Sequence, residues 1–299
     1  MMVFRRLRST PPSDPDLSYC KLCDIDDFAS RALVPFIDSV YAGSRNAAFP
    51  DFPRGLEERK QWEIAMALRT LQDFGALRAD SEILGVGAGN EATIFWLTNH
   101  VQRVFATDLY LTPGEWAIEA PPAMLSDPQP PIPLSWDPRK LVVQHMNALD
   151  LRYADESFDG IFSSSSIEHF GTRADVRKSV EEMVRVLRPG GVLTVATEYR
   201  LAGPAPGLPG TLLFSKAQLI ELFAGLPLTP VSPWSLRLSR NSSRVVVDFK
   251  EATDDIVAKR PRFSTYPHIV LKDGRHRWTS VHLGFKKSPA LATRRERRL

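Results

Sequence analysis

The residues with the clearest chemical potential form one glycine-rich run, Gly85-Val86-Gly87-Ala88-Gly89-Asn90-Glu91, between a short apolar stretch and a helical pattern. Glycines there permit a tight turn and a close approach of backbone to a ligand. The helix start that follows offers N–H groups with no partner inside the helix. Asp108 closes the next apolar stretch, 21 residues after Gly87. A carboxylate so placed can accept from both hydroxyls of a ribose. Alone it would equally be a strand-end turn cap, and its spacing from the glycine run favours the ribose. Asn147-Ala148 ends a third stretch, where an amide and a backbone N–H could read an adenine edge or form an ordinary loop. A fourth stretch, Phe158-Asp159-Gly160-Ile161-Phe162, runs into four serines, Ser163 to Ser166, and then Ile167-Glu168-His169-Phe170. The last feature is Val186-Leu187-Arg188-Pro189-Gly190-Gly191.

These residues must be carried by strands that alternate with helices. Apolar runs at 82–86, 101–107, 141–146, 158–163 and 192–197 read as strands. Segments 91–100 and 174–187 read as helices, the second with Val176, Val180, Met183, Val184 and Leu187 on one face and 188–191 as its stop. Upstream, 56–74 is a strong helix with Ile64, Leu68 and Leu71 at helical spacing, widened by Trp62 and Met66. A shorter helix is expected within 28–41, a loop over 42–54, and further elements at 214–226 (helix), 244–249 (strand) and 279–285 (last strand). Alternating strands and helices argue for a parallel sheet with helices on both faces. Right-handed crossovers then bring every strand's C-terminal end to one edge, where such sheets bind ligands. Two loops reach that edge: 112–138, with eight prolines, and the Pro/Gly-rich 201–210. Each reads as a functional, mobile loop or as a rigid surface bracket.

Taken in this order, the glycine run, Asp108, Asn147-Ala148, "DESFDGIFSSSSIEHF" and "RVLRPGGVLTVAT" resemble the class I S-adenosylmethionine-dependent methyltransferases of the small-molecule type, over about 82–197. The resemblance implies a Rossmann-like α/β fold. Its sheet would have seven strands, mostly parallel, with helices on both faces, and the last strand, here 279–285, antiparallel. It implies S-adenosylmethionine as cofactor. Gly85, Gly87, Gly89, Asn90 and Glu91 would pack on the methionine moiety with Ser163 nearby. Asp108 would hold the ribose, Asn147 and Ala148 frame the adenine, and Leu109 and Tyr110 line its face. Two positions depart from the family pattern. Gly85 stands where an acidic residue is usual, and Glu91 replaces the loop's last glycine. Glu91 would either restore a negative charge for the methionine ammonium or simply partner the helix dipole.

In methyl transfer the protein's task is to align the acceptor and exclude water, with a base where the acceptor is a hydroxyl. His169, just past the fourth strand on the ligand edge, is the first candidate base, and a histidine titrates near neutrality. Glu168 is the second, His268 a more distant one. Glu198, Tyr199 and Arg200 follow the fifth strand and could touch substrate. The alternatives to catalysis are a packed histidine, solvated carboxylates and a non-catalytic cofactor-binding protein of the same fold.

Composition narrows the remaining classes. With 38 Lys and Arg against 35 Asp and Glu, the chain lacks the concentrated basic face that nucleic-acid binding needs. A dinucleotide oxidoreductase would want glycine where Asn90 stands. No apolar run reaches the ~20 residues of a membrane span, and the basic stretch 1–8 precedes prolines rather than a secretory apolar segment. Cys20 and Cys23, without a second pair, read as incidental thiols in a reducing compartment. The expectation is thus a cytoplasmic enzyme with a small-molecule substrate, no metal, no nucleic-acid or membrane partner, and no residue pattern that sets its oligomeric state. Its parts would be an N-terminal appendage or lid (1–54), the methyltransferase domain (55–287) and a basic flexible tail (288–299) with Arg294, Arg295, Arg297 and Arg298.

Overall fold

The computed structural model describes residues 18–112, 118–258 and 266–289; the basic stretch 1–8 and the arginines at 294–298 lie outside them. In chain order the strands and helices are β1 (Lys21–Leu22), α1 (Val34–Tyr41), α2 (Arg59–Asp73), β2 (Glu82–Val86), α3 (Ala92–Leu97), β3 (Arg103–Asp108), β4 (Leu141–His145) and β5 (Phe158–Ser164). They continue as α4 (Arg173–Val186), β6 (Leu187–Ala202), β7 (Gly207–Leu208), β8 (Thr211–Leu212), α5 (Lys216–Phe223), β9 (Leu228–Pro230), α6 (Arg240–Arg244), β10 (Val246–Asp248), α7 (Phe249–Ala258), β11 (Val270–Asp273) and β12 (His276–Lys287).

The central order is β4-β3-β2-β5-β6-β12. The pairs from β4 to β6 are parallel, and β12 lies antiparallel to β6. The seventh place, outside β12, is shared by three short strands. β11 pairs the start of β12, β1 its middle and β9 its end. β10 extends this edge beyond β11, so that among the described residues ten strands fill the sheet. The expected mostly parallel sheet with an antiparallel last strand is therefore present, its outer position tiled from pieces.

Successive residues of the central strands divide between two cores, as the two-residue period of a strand requires. Ile83, Val104, Ala106, Phe162 and Val192 pack on the side of α1, α2 and α3, whereas Leu84, Val86, Ile161, Leu193 and Val195 pack on the side of α4 and α5. Burial on both faces is why these strands read as continuous apolar runs.

α2 was expected to show a one-sided stripe, but every residue from Gln61 to Leu71 is buried. It is a central helix covered by α1 as well as the sheet, and it carries Glu63 and Arg69 into the interior. The N-terminal segment is built into the fold. β1 adds to β12, Cys20 and Cys23 are buried free thiols, and Tyr19 Oη donates to Asp73 Oδ2 at 2.7 Å. Its helix is shorter than 28–41 because Phe28 falls in a preceding 3-10 turn (Ile25–Ala29) and Pro35 stands in the first turn of α1.

α4 starts at a capping box in which Thr172 and Asp175 satisfy each other's backbone N–H groups. It ends at Val186, one residue before the expected limit. Residues 188–191 then bulge out of β6 between the pairs Phe158↔Leu187 and Gly160↔Val192, with Gly190 at φ +77°. β6 outruns the expected 192–197 because its far end continues to pair with β12.

Candidate active site

β2 ends at Val86 and the chain turns under the C-terminal edge of the sheet, with Gly87 at φ +64° and Gly89 at φ +48°. Ala88 N donates back to Thr107 O at 3.0 Å. Asp108, the last residue of β3, accepts from Gly89 N at 2.8 Å and from Leu109 N at 2.7 Å. The turn and the carboxylate therefore meet. Burial raises the Asp108 carboxyl above its ordinary value, while these two N–H groups oppose the rise. On the other side of the turn, Ser166 Oγ donates to Gly87 O at 2.6 Å. A Cβ on Gly87 would lie 2.6 Å from Ser166 Cβ, and one on Gly89 would lie 2.5 Å from Glu119 O, so both places require glycine.

The other sequence candidates distribute unevenly. Leu109 is exposed at the sheet edge, as an adenine-facing side chain would be. Tyr110 instead turns inward, is buried, and donates from Oη to Gly89 O at 2.8 Å; it braces the loop rather than offering a ring face. Ala148 is buried, while exposed Asn147 uses Oδ1 to accept from Leu149 N at 2.9 Å, closing its own turn. Gly85 faces Phe162, within the sheet rather than at its edge. The Pro-rich loop, over its described part 118–138, is a bracket pinned to the end of α3. Asp137 N donates to Thr98 Oγ1 (2.9 Å), Asn99 Nδ2 to Ser135 O (2.6 Å) and Lys140 Nζ to Val101 O (2.9 Å).

A methyltransferase-domain family profile matches residues 84–195, from β2 into β6. The chain is 29% identical over 208 residues to erythromycin 3''-O-methyltransferase of Saccharopolyspora erythraea, covering 68% of this chain and 62% of that one. It is 43% identical over 113 residues to O-methyltransferase resE of Aspergillus sclerotiorum, covering 38% of this chain and 39% of the relative. These matches thus span less than two thirds of either relative. Among solved structures, the YcgJ protein of a Bacillus aligns at 17% identity and TM-score 0.48, covering 77% of this chain and 99% of that one. Residues 84–195 form a class I S-adenosylmethionine-dependent methyltransferase domain.

The cofactor of such a domain is S-adenosylmethionine, and the residues here fit it. The glycine turn is a cradle that side chains would fill. Beside it the buried atoms Asn90 Oδ1, Ser163 Oγ and Ser164 Oγ have no hydrogen-bond partner among the described residues. Unsatisfied buried polar atoms are costly unless a ligand or water engages them. Two cavities lie away from this turn. One, of about 170 Å³, is in the N-terminal segment between Phe28, Ile37 and Arg54. The other, of about 610 Å³, lies between Met124–Gln129 and Leu141 and Val143 of β4. The donor and acceptor pattern beside the turn, rather than either cavity, is what fits the cofactor end of such a domain.

Next to that end stands a group of charges that the sequence reading largely missed. From the start of α2, Lys60 Nζ donates to Glu91 Oε1 at 3.1 Å and to Ser164 O at 3.0 Å. Arg59 pairs with Glu198. Buried Glu63 accepts from Ser165 Oγ at 2.7 Å and from Ser280 Oγ. The available signal was the run Arg59, Lys60, Glu63 set among Trp62, Ile64 and Met66. A charge inside an apolar helix needs a buried partner.

Glu168 is 1% exposed. Its Oε2 accepts from Thr197 Oγ1 at 2.8 Å, and its Oε1 lies 4.0 Å from His169 Nε2. Burial, reinforced by Glu198, pushes its carboxyl up to about 8. His169 donates from Nδ1 to Gly210 O at 2.9 Å, in the β7–β8 hairpin, which leaves the lone pair of the neutral ring on Nε2. His268 is remote from this pair in role. It is buried, stacks on Tyr266 (3.9 Å between centroids) and exchanges backbone hydrogen bonds with Glu57 and Arg59 at the head of α2. Among the described residues, no group of three or more His, Cys, Asp or Glu is arranged to hold a metal ion.

Proposed function

We propose that this chain transfers a methyl group from S-adenosylmethionine to a hydroxyl of a small-molecule acceptor, a sugar or natural-product intermediate, with His169 as the base. The observation that carries the reading is the convergence of the Gly87–Gly89 turn and Asp108 on one edge, with His169 on the next loop of the same edge. The bound cofactor supplies an electrophilic methyl group. Gly87, Gly89 and Asp108 hold the cofactor, with Asn90, Ser163 and Leu109 around it. Ala148 and the turn closed by Asn147 bound the adenine end. His169 Nε2 takes the acceptor's proton while Gly210 O keeps the ring in the required tautomer. Glu168, neutral by burial, lies with Oε1 4.0 Å from Nε2, and the Thr197 hydroxyl orients the Glu168 carboxyl. The two similar proteins are named for O-methylation, one of them on erythromycin, which supports a hydroxyl acceptor. Two free thiols and the lack, among the described residues, of any helix long and apolar enough to cross a membrane fit a cytoplasmic setting.

The acceptor is found by incubating the protein with cofactor and small-molecule libraries and reading the gain of one methyl group by mass spectrometry. With an acceptor in hand, His169→Ala is expected to lower turnover about 100-fold or more, the range of general-base catalysis, with cofactor affinity by calorimetry unchanged. Full turnover in that variant removes the base assignment.

A further inference from the structure

The two departures of the glycine loop from its family, Gly85 and Glu91, are both answered by side chains from other elements. A Cβ on Gly85 would lie 2.7 Å from Phe162 Cζ and 2.9 Å from Ala88 Cβ, so an aromatic ring fills the space an acidic side chain there would need. A carboxylate reappears at Glu91, with its side chain 9% exposed and Lys60 Nζ at 3.1 Å. Lys60 also reaches Ser164 O at 3.0 Å and lies 3.6 Å from Glu63. Glu63 also accepts from the Ser165 and Ser280 hydroxyls, and Glu91, at 3.1 Å against 3.6 Å, is the nearer anionic partner of Lys60. The Lys60 side chain is 43% exposed. Desolvation works against its charge, but Glu91 and Glu63 outweigh that and hold it protonated.

An α-amino acid carries an ammonium and a carboxylate on one carbon. A fixed ammonium–carboxylate pair beside the glycine turn complements both groups at once. Receiving such a zwitterion exchanges one ion pair for two and adds no net charge to a partly buried place, where unpaired charge is costly.

We propose that Lys60 and Glu91 form a clamp for the amino-acid end of the cofactor, Lys60 receiving its carboxylate and Glu91 its ammonium. The clamp rests on the S-adenosylmethionine reading. It moves the loop's carboxylate from position 85 to 91 and recruits a cation from α2, so the N-terminal helix layer becomes part of the cofactor site. Phe162 and Glu91 are then two halves of one change.

The test is calorimetric titration with S-adenosylhomocysteine, which has the amino-acid end, and 5'-methylthioadenosine, which lacks it. Lys60→Met and Glu91→Gln are each expected to weaken S-adenosylhomocysteine roughly tenfold to 150-fold, the worth of a charged hydrogen bond. Both should leave 5'-methylthioadenosine unchanged, which also reports an intact fold, and Lys60→Arg should retain the wild-type affinity for S-adenosylhomocysteine. Equal losses for both ligands, or unchanged S-adenosylhomocysteine affinity in both variants, overturn the clamp while wild-type binding keeps the cofactor reading. A wild-type protein that binds neither ligand overturns the cofactor reading itself and the clamp with it.

Discussion

Asp108 shows how much one side chain can contribute at this edge. Its two oxygens each accept one backbone N–H, from Gly89 and Leu109, and a carboxylate has about four acceptor positions. Capacity therefore remains for two hydroxyl donors while the turn stays fastened. Asp108→Asn keeps the shape but sets an NH2 group against one of these N–H donors and removes the charge. Cofactor affinity measured by calorimetry should fall roughly tenfold to 150-fold, ~1.5–3 kcal/mol. Affinity equal to wild type would take Asp108 out of the ribose site. The glycine turn and Asp108 were legible because spacing and chain order reported them. Tyr110 and Asn147 were legible only as positions at strand ends. Whether a side chain there faces ligand or braces its own loop depends on its hydrogen bonds, to Gly89 O for one and Leu149 N for the other. Lys60 and Glu63 lay in a helix that read as packing, and their role appears only once α2 crosses the sheet edge.

Among the elements, the connection from β4 to β5 beside Asn147-Ala148 is held by one arginine of α4. Arg185 Nη1 donates to Tyr153 O (2.9 Å) and Asp155 Oδ1 (2.8 Å), Nη2 to Leu151 O (2.6 Å) and Glu182 Oε2 (2.8 Å), and Nε to Glu182 Oε1 (2.9 Å). Glu182 in turn accepts from Leu151 N at 2.9 Å. All five guanidinium donors of Arg185 are engaged. Arg185→Ala leaves the Leu151 and Tyr153 carbonyls without this donor. It should lower stability by ~1–3 kcal/mol, seen as a lower urea midpoint at unchanged slope. A stability within ~0.5 kcal/mol of wild type, as for an ordinary surface change, would mean the loop holds itself. The helix carrying Arg185 was readable from its apolar period, and the strands β2 to β6 from their continuous apolar runs. β1 was not, because two residues have no period to read. It becomes a strand only because β12 offers Val281 and His282 as partners. The seventh place in the sheet is divided among β11, β1 and β9 for a related reason: none of the three is long enough to announce itself, and each takes its register from β12.

Across the whole molecule, carboxylates are gathered at the ligand edge, and this sets how stability responds to pH. Burial pushes Glu168 up to about 8, with Glu198 and Glu63 adding to the effect and the Thr197 hydroxyl opposing it. Burial also pushes Glu58 up to about 7. Glu91 and Glu198 are raised as well, by burial against the pull of Lys60 and Arg59. A carboxyl whose folded value exceeds its unfolded value, ~4.3 for Glu, binds its proton more tightly when folded. Its contribution is complete below the unfolded value and is lost as pH rises through the folded one. His282, pushed down to about 4 by burial, acts in the opposite sense, but only between that value and its ordinary 6.5. Above pH ~6.5 the histidine is neutral in both states, and the window up to pH ~8 belongs to the raised carboxyls, Glu168 and Glu58 among them. Urea midpoints should therefore decline from pH 6.5 to 8, with a slope of at most ~1.4 kcal/mol per pH unit for each proton involved. Glu168→Gln keeps an acceptor for Thr197 and cannot ionise, so it should flatten most of the decline above pH 7. If wild type and Glu168→Gln lose stability in parallel over that interval, the carboxyl beside His169 Nε2 is already ionised at neutrality, and the ring would work against a charged neighbour instead of a neutral one.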